Sequence, residues 1–416
     1  MGTLYNIATY IMSFFLWLSQ VFSKKMKLFI RGRQRTFSIL KEKIKPTDET
    51  LWFHCASLGE FEQGFPIMEV IKQQFPKYKI VVSFFSPSGY EIKKNTPIAD
   101  AVVYLPMDTR ASARKFVELV HPTVAFFVKY EFWPNYLFQL KKHGVHSLLI
   151  SGVFRNNQVF FKSYGNFMRK ALHCFNHIFV QTKSSEVLLK EISITEVSVS
   201  GDTRFDRVSH QIEQDNSLNF METFKGNSLC VVCGSTWPED ETVLLPFINK
   251  SPNIKFIIAP HKMDAGMIQS FQKKLKHPSI RYSELEAKSN ALSKASVLIV
   301  DTIGLLTKIY SYAEIAYVGG AMGHTGLHNI LEPATFGIPI VIGKNYDDFP
   351  EAEKLQSLAG LFSIKNANEC SQILTKLTTE STFRDKTGMI SGHFVNSNTG
   401  ATAMVLKYFK NLESNN

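Results

Sequence analysis

The sequence predicts an α/β protein of two Rossmann-like domains facing across a cleft, preceded by a membrane-anchor helix. Three observations carry that expectation. Eleven apolar runs of five to seven residues alternate with longer stretches of helical periodicity, the pattern of βαβ units and parallel sheets. A polar stretch, Ser209 to Asn227, divides those runs into six and five. Finally, residues 1–23 carry no charged side chain, while Lys24 to Lys45 holds nine basic residues against Glu42 alone. With 416 residues, 44% hydrophobic, 20% charged and 12% aromatic, a disulfide mini-fold, a coiled rod and a disordered chain are excluded. The formal charge is +11, but most of it sits in that one short segment. No groove of nucleic-acid length is basic, so no nucleic-acid partner is expected.

The N-terminal run, Leu4 to Phe22, rises about 28 Å as a helix, close to the hydrocarbon thickness of a bilayer. Its charges follow the apolar part, the reverse of a cleaved signal peptide. Asn6, Thr9, Ser13 and Gln20 dilute the run, so an interfacial helix and a soluble core helix stand open beside a spanning one. A single anchor at 1–23 with a basic juxtamembrane segment at 24–45 puts the rest of the chain on the cytoplasmic face. The segment suits anionic lipid head groups, or simply sets topology.

The first domain is expected at 46–208, with strands at 51–55, 79–85, 101–105, 124–128, 145–150 and 177–182. A linker follows at 209–227. The second domain, 228–385, has strands at 229–235, 254–260, 296–301, 314–320 and 338–343. A helical segment at 386–416 ends the chain, and its amphipathic part, Thr402 to Leu412, packs back towards the first domain. Cys230 and Cys233 form C-x-x-C inside an apolar strand. They lack both the helix start a redox pair needs and the second ligand pair of a zinc site, so they read as buried structure.

Ligands of open parallel sheets sit beyond the carboxyl ends of the strands, so the loops there are the informative ones. After the first strand come Ser57, Leu58, Gly59 and Glu60. Gly59 suits a tight strand-to-helix turn, and Glu60 falls at the helix start. There it is either a first-turn acid favoured by the helix dipole or a general base; both readings stand at this point. After the fourth strand comes the charged and aromatic run Lys129, Tyr130, Glu131, Phe132, Trp133. In the second half, Ser235 and Thr236 lead into Glu239, Asp240 and Glu241, and His261 and Lys262 close the next strand. The run from Gly319 to Pro333 contains Gly320, Gly323 and Gly326, then Asn329 and Glu332. Its glycines let backbone approach a ligand, the helix after it offers N–H groups to a phosphate, and a carboxylate accepts both hydroxyls of a ribose diol. The pairs His324/His328, His173/His177 and His143/His146 lack a third ligand, so no metal is expected.

These stretches resemble one family. ASLGE (56–60), SPSG (86–89), YLPMD (104–108), YEFWPN (130–135), GDTRFD (201–206), GSTWPEDE (234–241), DTIG (301–304), YVGGAMGHTGLHNILEP (317–333) and GIP (337–339) occur in the order found in the transferases of 3-deoxy-D-manno-octulosonic acid (Kdo). The resemblance implies a GT-B fold and an inverting glycosyltransferase that moves Kdo from CMP-Kdo to a hydroxyl of the lipid A precursor. That reaction belongs to lipopolysaccharide synthesis, on the cytoplasmic face of the bacterial inner membrane, with neither cofactor nor metal. By matching position, Glu60 is implied as catalytic base and Glu131 as the family's second acidic residue of the catalytic site, implicated in positioning. Ser235, Thr236, Glu241, His261, Lys262, Gly320, Gly323, Gly326, Asn329 and Glu332 are implied in nucleotide-sugar binding. Ser57, Gly59, Lys129, Arg155 and Arg204 are implied as contacts to the sugar carboxylate or the acceptor. The chain departs from the family at Trp237, where histidine is usual, and at Leu327, where glycine is usual. Two rival readings are a membrane-associated transferase of the same architecture using a UDP-sugar, and a non-enzymatic nucleotide-binding membrane protein. The single glycine of ASLGE speaks against the first, and Glu60 and Glu131 against the second.

Overall fold

A computed structural model describes residues 2–414. Met1, Asn415 and Asn416, the outermost positions of the expected anchor and C-terminal segment, lie outside the described residues, as do the side chains of Lys24 and Lys25. The chain forms two compact units, Met1–Arg207 with Thr399–Asn416, and Val208–Asn398.

Unit 1 is built on seven strands: β1 Glu49–Cys55, β2 Tyr78–Phe84, β3 Ala101–Tyr104, β4 Pro122–Val128, β5 His146–Gly152, β6 His177–Val180 and β7 Val197–Val199. They pair in parallel in the order β3-β2-β1-β4-β5-β6-β7. Aromatic and β-branched residues are buried on both faces. Phe53 and Phe126 stack at 4.4 Å on one side, and Trp52 packs among Phe116, Phe127 and Tyr136 on the other. Such two-sided burial is why these runs are almost continuously apolar.

Unit 2 repeats the plan with β8 Cys230–Thr236, β9 Lys255–Pro260, β10 Ser279–Arg281, β11 Val297–Ile299, β12 Ile315–Val318, β13 Ile340–Ile342 and β14 Leu361–Ser363. Their order is β10-β11-β9-β8-β12-β13-β14. Cys230 and Cys233 both lie in β8 and are fully enclosed. Three positions apart on a strand, they face opposite layers, and all five cysteines are free and buried.

The strand order places the ligand ends. In each sheet the first strand of the unit, β1 or β8, has later strands on one side and earlier-returning ones on the other. The crevice opens where that order reverses. In unit 1 the reversal lies between β1 and β4, paired with His54 opposite Phe127. In unit 2 it lies between β8 and β12, paired with Gly234 opposite Val318.

Three segments outside the two expected sheets differ from expectation. The first helix, Gly2–Ser19, buries no residue, yet no described helix is long and apolar enough to cross a membrane. The polar positions responsible fold onto their own helix: Asn6 donates to the Gly2 carbonyl at 2.7 Å, and Thr9 and Ser13 to those of Tyr5 and Thr9 at 2.9 and 2.7 Å. Second, the basic segment is no loose flank. It forms the helix Lys24–Lys43, buries Leu40 and then Ile44 in unit 1, and at Gly32 passes so close to Tyr104 that a Cβ would sit 2.2 Å from its ring. Third, the expected linker contributes the helix Asn219–Lys225, whose Met221 and Phe224 are buried in unit 2. Their i, i+3 spacing marks an apolar stripe within an otherwise polar stretch.

The last helix, Ala401–Ser414, belongs to unit 1. Asp206 fastens its start: Oδ1 accepts from the Gly400 N–H at 2.6 Å, and Oδ2 from the Thr402 N–H and hydroxyl at 2.8 and 3.0 Å. Val405, Leu406 and Phe409 then fill the layer beneath β1, β2 and β4.

Candidate active site

At the end of β1 the chain turns at Ala56 and Ser57 into the helix Leu58–Gln74. Gly59 is the second helical residue and so does not make the turn; a Cβ there would meet only Ser57 Oγ, at 3.7 Å. Gly89 carries the close approach instead, since a Cβ on it would lie 2.9 Å from the Ser57 backbone. Glu60 stands at the third helical position and folds back, Oε2 accepting from the Ser57 N–H at 3.0 Å, with the Ser57 hydroxyl bonded to the same oxygen. This reciprocal cap satisfies amide groups that a helix start leaves open. The first-turn reading of Glu60 is thus its resting geometry, and Glu60 remains half-buried at the strand end.

Next to it, β4 ends in Lys129, held at φ 67°, with its N–H on the Ile150 carbonyl at 2.9 Å. A left-handed lysine is an uncommon, strained conformation of the kind found at functional positions. The Lys129 ammonium lies 5.1 Å from the centre of the Tyr130 ring, and the Arg155 guanidinium 5.8 Å. Burial raises the Tyr130 hydroxyl above its ordinary pKa and the Glu60 charge adds to that, while Arg155, which bonds to it, and Arg204 pull the other way. Glu60, Tyr130, Arg155 and Arg204 therefore share one electrostatic neighbourhood. Arg204 is set by Asp202, whose Oδ2 takes the Arg204 Nε at 2.9 Å. Burial opposes the Asp202 charge, but Arg204 and Gln63 outweigh it and hold the carboxyl below its usual range.

Glu131 is almost enclosed, 8% exposed. Its Oε2 accepts from Trp133 Nε1 at 2.6 Å and lies 2.9 Å from His54 Nε2. His54 was missed at the sequence level because LWFHC reads as an apolar strand with one stray polar residue.

In unit 2, Ser235 takes φ 53° at the end of β8, and the glycine loop follows β12 across the reversal point. Gly320, at φ 98°, has no room for a side chain: a Cβ would lie 2.1 Å from the Gly326 carbonyl oxygen. The loop is pinned by two residues that the sequence did not single out for that task. Asp240, fully buried, accepts from the Gly320 and Trp237 N–H groups, each at 2.9 Å, and from the Tyr317 hydroxyl at 2.8 Å. Asn345 donates to the Gly323 carbonyl at 2.7 Å.

Three rings stand beside this loop. Trp237 stacks on His261 at 4.8 Å, His261 on His328 at 4.4 Å, and Trp237 Nε1 donates to His328 Nε2 at 3.1 Å. Lys262 places its ammonium 4.8 Å from the Trp237 ring. Burial, with His261 alongside, lowers the His328 pKa to about 4, and burial with Lys262 lowers that of His261. Both imidazoles are therefore neutral at pH 7. Thr236 Oγ1 donates to Glu241 at 3.2 Å, and burial pushes the Glu241 carboxyl upward. Asn329 Nδ2 donates to Glu332 Oε1 at 3.1 Å, and Thr307 to its other oxygen at 3.4 Å. The helix carrying Glu332 spans only Leu331–Thr335, so its dipole is that of a single turn. Among the described residues no group of three or more His, Cys, Asp or Glu side chains is placed to hold a metal ion.

Residues 31–207 match the model of the family described as 3-deoxy-D-manno-octulosonic-acid transferase (kdotransferase). A 3-deoxy-D-manno-octulosonic acid transferase of Aquifex aeolicus is 28% identical over 345 residues, 81% of this chain and 88% of that protein. A bifunctional glycosyltransferase/methyltransferase of Fusobacterium nucleatum is 25% identical over 360 residues, 83% of this chain; the chain spans about half of that relative, 54%. Among solved structures, the UDP-GlcNAc 2-epimerase of Neisseria meningitidis bound to UDP-GlcNAc superposes with a TM-score of 0.63 at 13% identity, covering 87% of this chain and 100% of that one. At that identity the likeness is one of fold alone.

Proposed function

The chain belongs to the family of 3-deoxy-D-manno-octulosonic acid (Kdo) transferases, and from that premise we propose that it transfers Kdo from CMP-Kdo to a hydroxyl of a lipid A precursor during lipopolysaccharide synthesis. The observation that carries this reading is the content of the two strand-order reversals. One is lined by Glu60, Glu131 and basic side chains; the other is lined by a glycine loop beside neutral rings and the Glu332 carboxylate.

In this reading Glu60 accepts the proton of the acceptor hydroxyl as its oxygen bonds to the anomeric carbon. The bond from that carbon to the CMP phosphate oxygen breaks, and CMP leaves with the electron pair. A single displacement inverts the anomeric centre. Loop amides around Gly320, Gly323 and Gly326, with Asn329, receive the departing phosphate, and Glu332 binds the ribose diol. Ser235, Thr236, Glu241, His261 and Lys262 complete the nucleotide contacts. Lys129, Arg155 and Arg204 face the sugar carboxylate or the acceptor, beside Ser57 and Gly59. One phosphate monoester anion as leaving group lets backbone dipoles stabilise the charge, so the chemistry requires no metal.

The acceptor is a lipid, and the helix Gly2–Ser19 supports a station at the cytoplasmic face of a bacterial inner membrane. Leu4, Ile7, Ile11, Phe14, Phe15 and Trp17 are all at least half exposed along it. Beside them the next helix exposes Lys27, Arg31 and Arg35, each cation worth about 1 kcal/mol near an anionic surface. An amphipathic surface helix, lying in the interface and not crossing it, fits these side chains.

A purified assay with CMP-Kdo and a lipid A precursor tests the proposal. CMP release matched by a Kdo-modified lipid is expected. Thermal stabilisation by UDP equal to that by CMP, with no modified lipid, would overturn it.

A further inference from the structure

His54 is fully enclosed at the end of β1, and no step above uses it. Both of its ring nitrogens are nevertheless engaged. Nδ1 lies 2.8 Å from Ser83 Oγ and 3.2 Å from the Ser83 carbonyl, while Nε2 lies 2.9 Å from Glu131 Oε2 and 3.0 Å from the Trp133 indole nitrogen. Indole N–H groups only donate, and the Trp133 N–H lies nearer to Glu131 Oε2 than to His54 Nε2. Trp52 Nε1 donates to Ser83 Oγ at 2.8 Å, and Trp133 Nε1 to Glu131 Oε2 at 2.6 Å. Ser83 thus receives one hydrogen and has its own to give to His54 Nδ1. With Ser83 as the donor to Nδ1, a neutral imidazole carries its proton on Nε2, facing Glu131 Oε2 at 2.9 Å. Glu131 Oε2 then receives two N–H donors, so its carboxyl group is held from two sides.

We propose that His54 is a positioning residue for transfer: held as the Nε2–H tautomer by Ser83, it locks the Glu131 carboxylate at the end of β4 without touching a substrate. The inference rests on Glu131 taking part in the reaction.

Four variants of the full chain test it: His54→Asn, His54→Gln, Ser83→Ala and Glu131→Gln. For each, kcat, the KM of donor and acceptor, stabilisation by CMP and the thermal midpoint are measured. A glutamine amide carries an N–H to where Nε2 stood, whereas an asparagine amide reaches only towards Ser83. His54→Asn is expected to lower kcat about 10²-fold, the scale of a roughly 1 Å misplacement, with donor KM and CMP stabilisation unchanged. His54→Gln should recover most of that loss. Wild-type kcat in His54→Asn overturns the inference, and so does an equal loss in both variants that follows the thermal midpoint. Should neither fold, Ser83→Ala decides. Without the hydroxyl, Nδ1–H can turn to the Ser83 carbonyl and present a bare Nε2 to the carboxylate, so kcat falls; an unchanged kcat refutes the role. Full turnover in Glu131→Gln removes the premise itself. An inactive Glu131→Gln beside an active His54→Asn overturns only the positioning role.

Discussion

At the reversal point of the first sheet two carboxyl groups are held by hydrogen bonds from their neighbours, whereas at the second a glycine loop stands beside uncharged rings. Glu60 is capped onto Ser57 and Glu131 is gripped by His54 and Trp133. Across the molecule's other half, Gly320 and Gly326 sit at φ 98° and 92°, and His261 and His328 stack without charge. The same sheet order therefore serves two chemistries. A unit that moves a proton needs carboxylates whose position is fixed, and a unit that seats a phosphate needs backbone amides held in place. Fold sets where the ligand goes; the loop composition sets what it meets.

The largest test of that division is Glu60→Gln. Glutamine serves as well as glutamate at the third position of a capping box, so unit 1 should fold normally. Loss of a general base is expected to cost about 10²–10⁴ in kcat, with CMP stabilisation intact in a thermal shift assay. Near-normal turnover would remove Glu60 from the role and blur the contrast between the units.

Gly320→Ala attacks the other side. Its φ and the nearby Gly326 carbonyl oxygen leave no place for a methyl group, and forcing one in costs about 1–3 kcal/mol of strain. CMP affinity, read by calorimetry, should fall by about tenfold or more, equivalent to about 1.4 kcal/mol, while the unit 1 unfolding transition is unmoved. Undiminished CMP binding would show that the loop does not seat the nucleotide.

The smallest expected effect is in pH dependence, where the units should oppose each other. Burial raises the Asp108 carboxyl of unit 1 to about 6, although the Tyr5 hydroxyl and the Asn135 and Tyr136 amides lower it. A raised carboxyl contributes stability that is full below its unfolded value of about 3.9 and lost as pH rises through 6. His328, depressed to about 4, contributes stability present above its unfolded value of about 6.5 and lost as pH falls through 4. Thermal melts from pH 4 to 7 should lose a falling component in Asp108→Asn and a rising one in His328→Gln. Changes of the same sign in both variants would contradict this opposition.

Much of this was legible in the sequence, and the omissions share physical causes. All eleven apolar runs became strands. The three strands that were missed, Val197–Val199, Ser279–Arg281 and Leu361–Ser363, are edges of their sheets. An edge needs only three residues and one buried face, so it leaves no apolar run to recognise. Glycine and acid at strand ends marked both reversal points, because unusual backbone and exposed charge are visible as residue types. His54 and Asp240 were not visible as supports, since their partners lie 77 and 80 residues away. Sequence spacing carries nothing about such pairs until the sheet brings them together. The packing of the basic juxtamembrane segment into unit 1 was hidden because its charges outnumber the few apolar residues, Phe29, Ile30, Leu40 and Ile44, that anchor it.

Asp206 gives the chain an order of assembly. The helix it fastens is made after the whole of Val208–Asn398, yet it supplies Val405, Leu406 and Phe409 to the interior of the unit that begins the chain. On the ribosome, the half translated first must wait, with Phe53 and Phe126 beneath an uncovered layer, while the half translated second can close on its own. Completion of the first domain thus follows synthesis of the whole second domain, and nascent chains arrested before Ala401 should be the ones that chaperones hold.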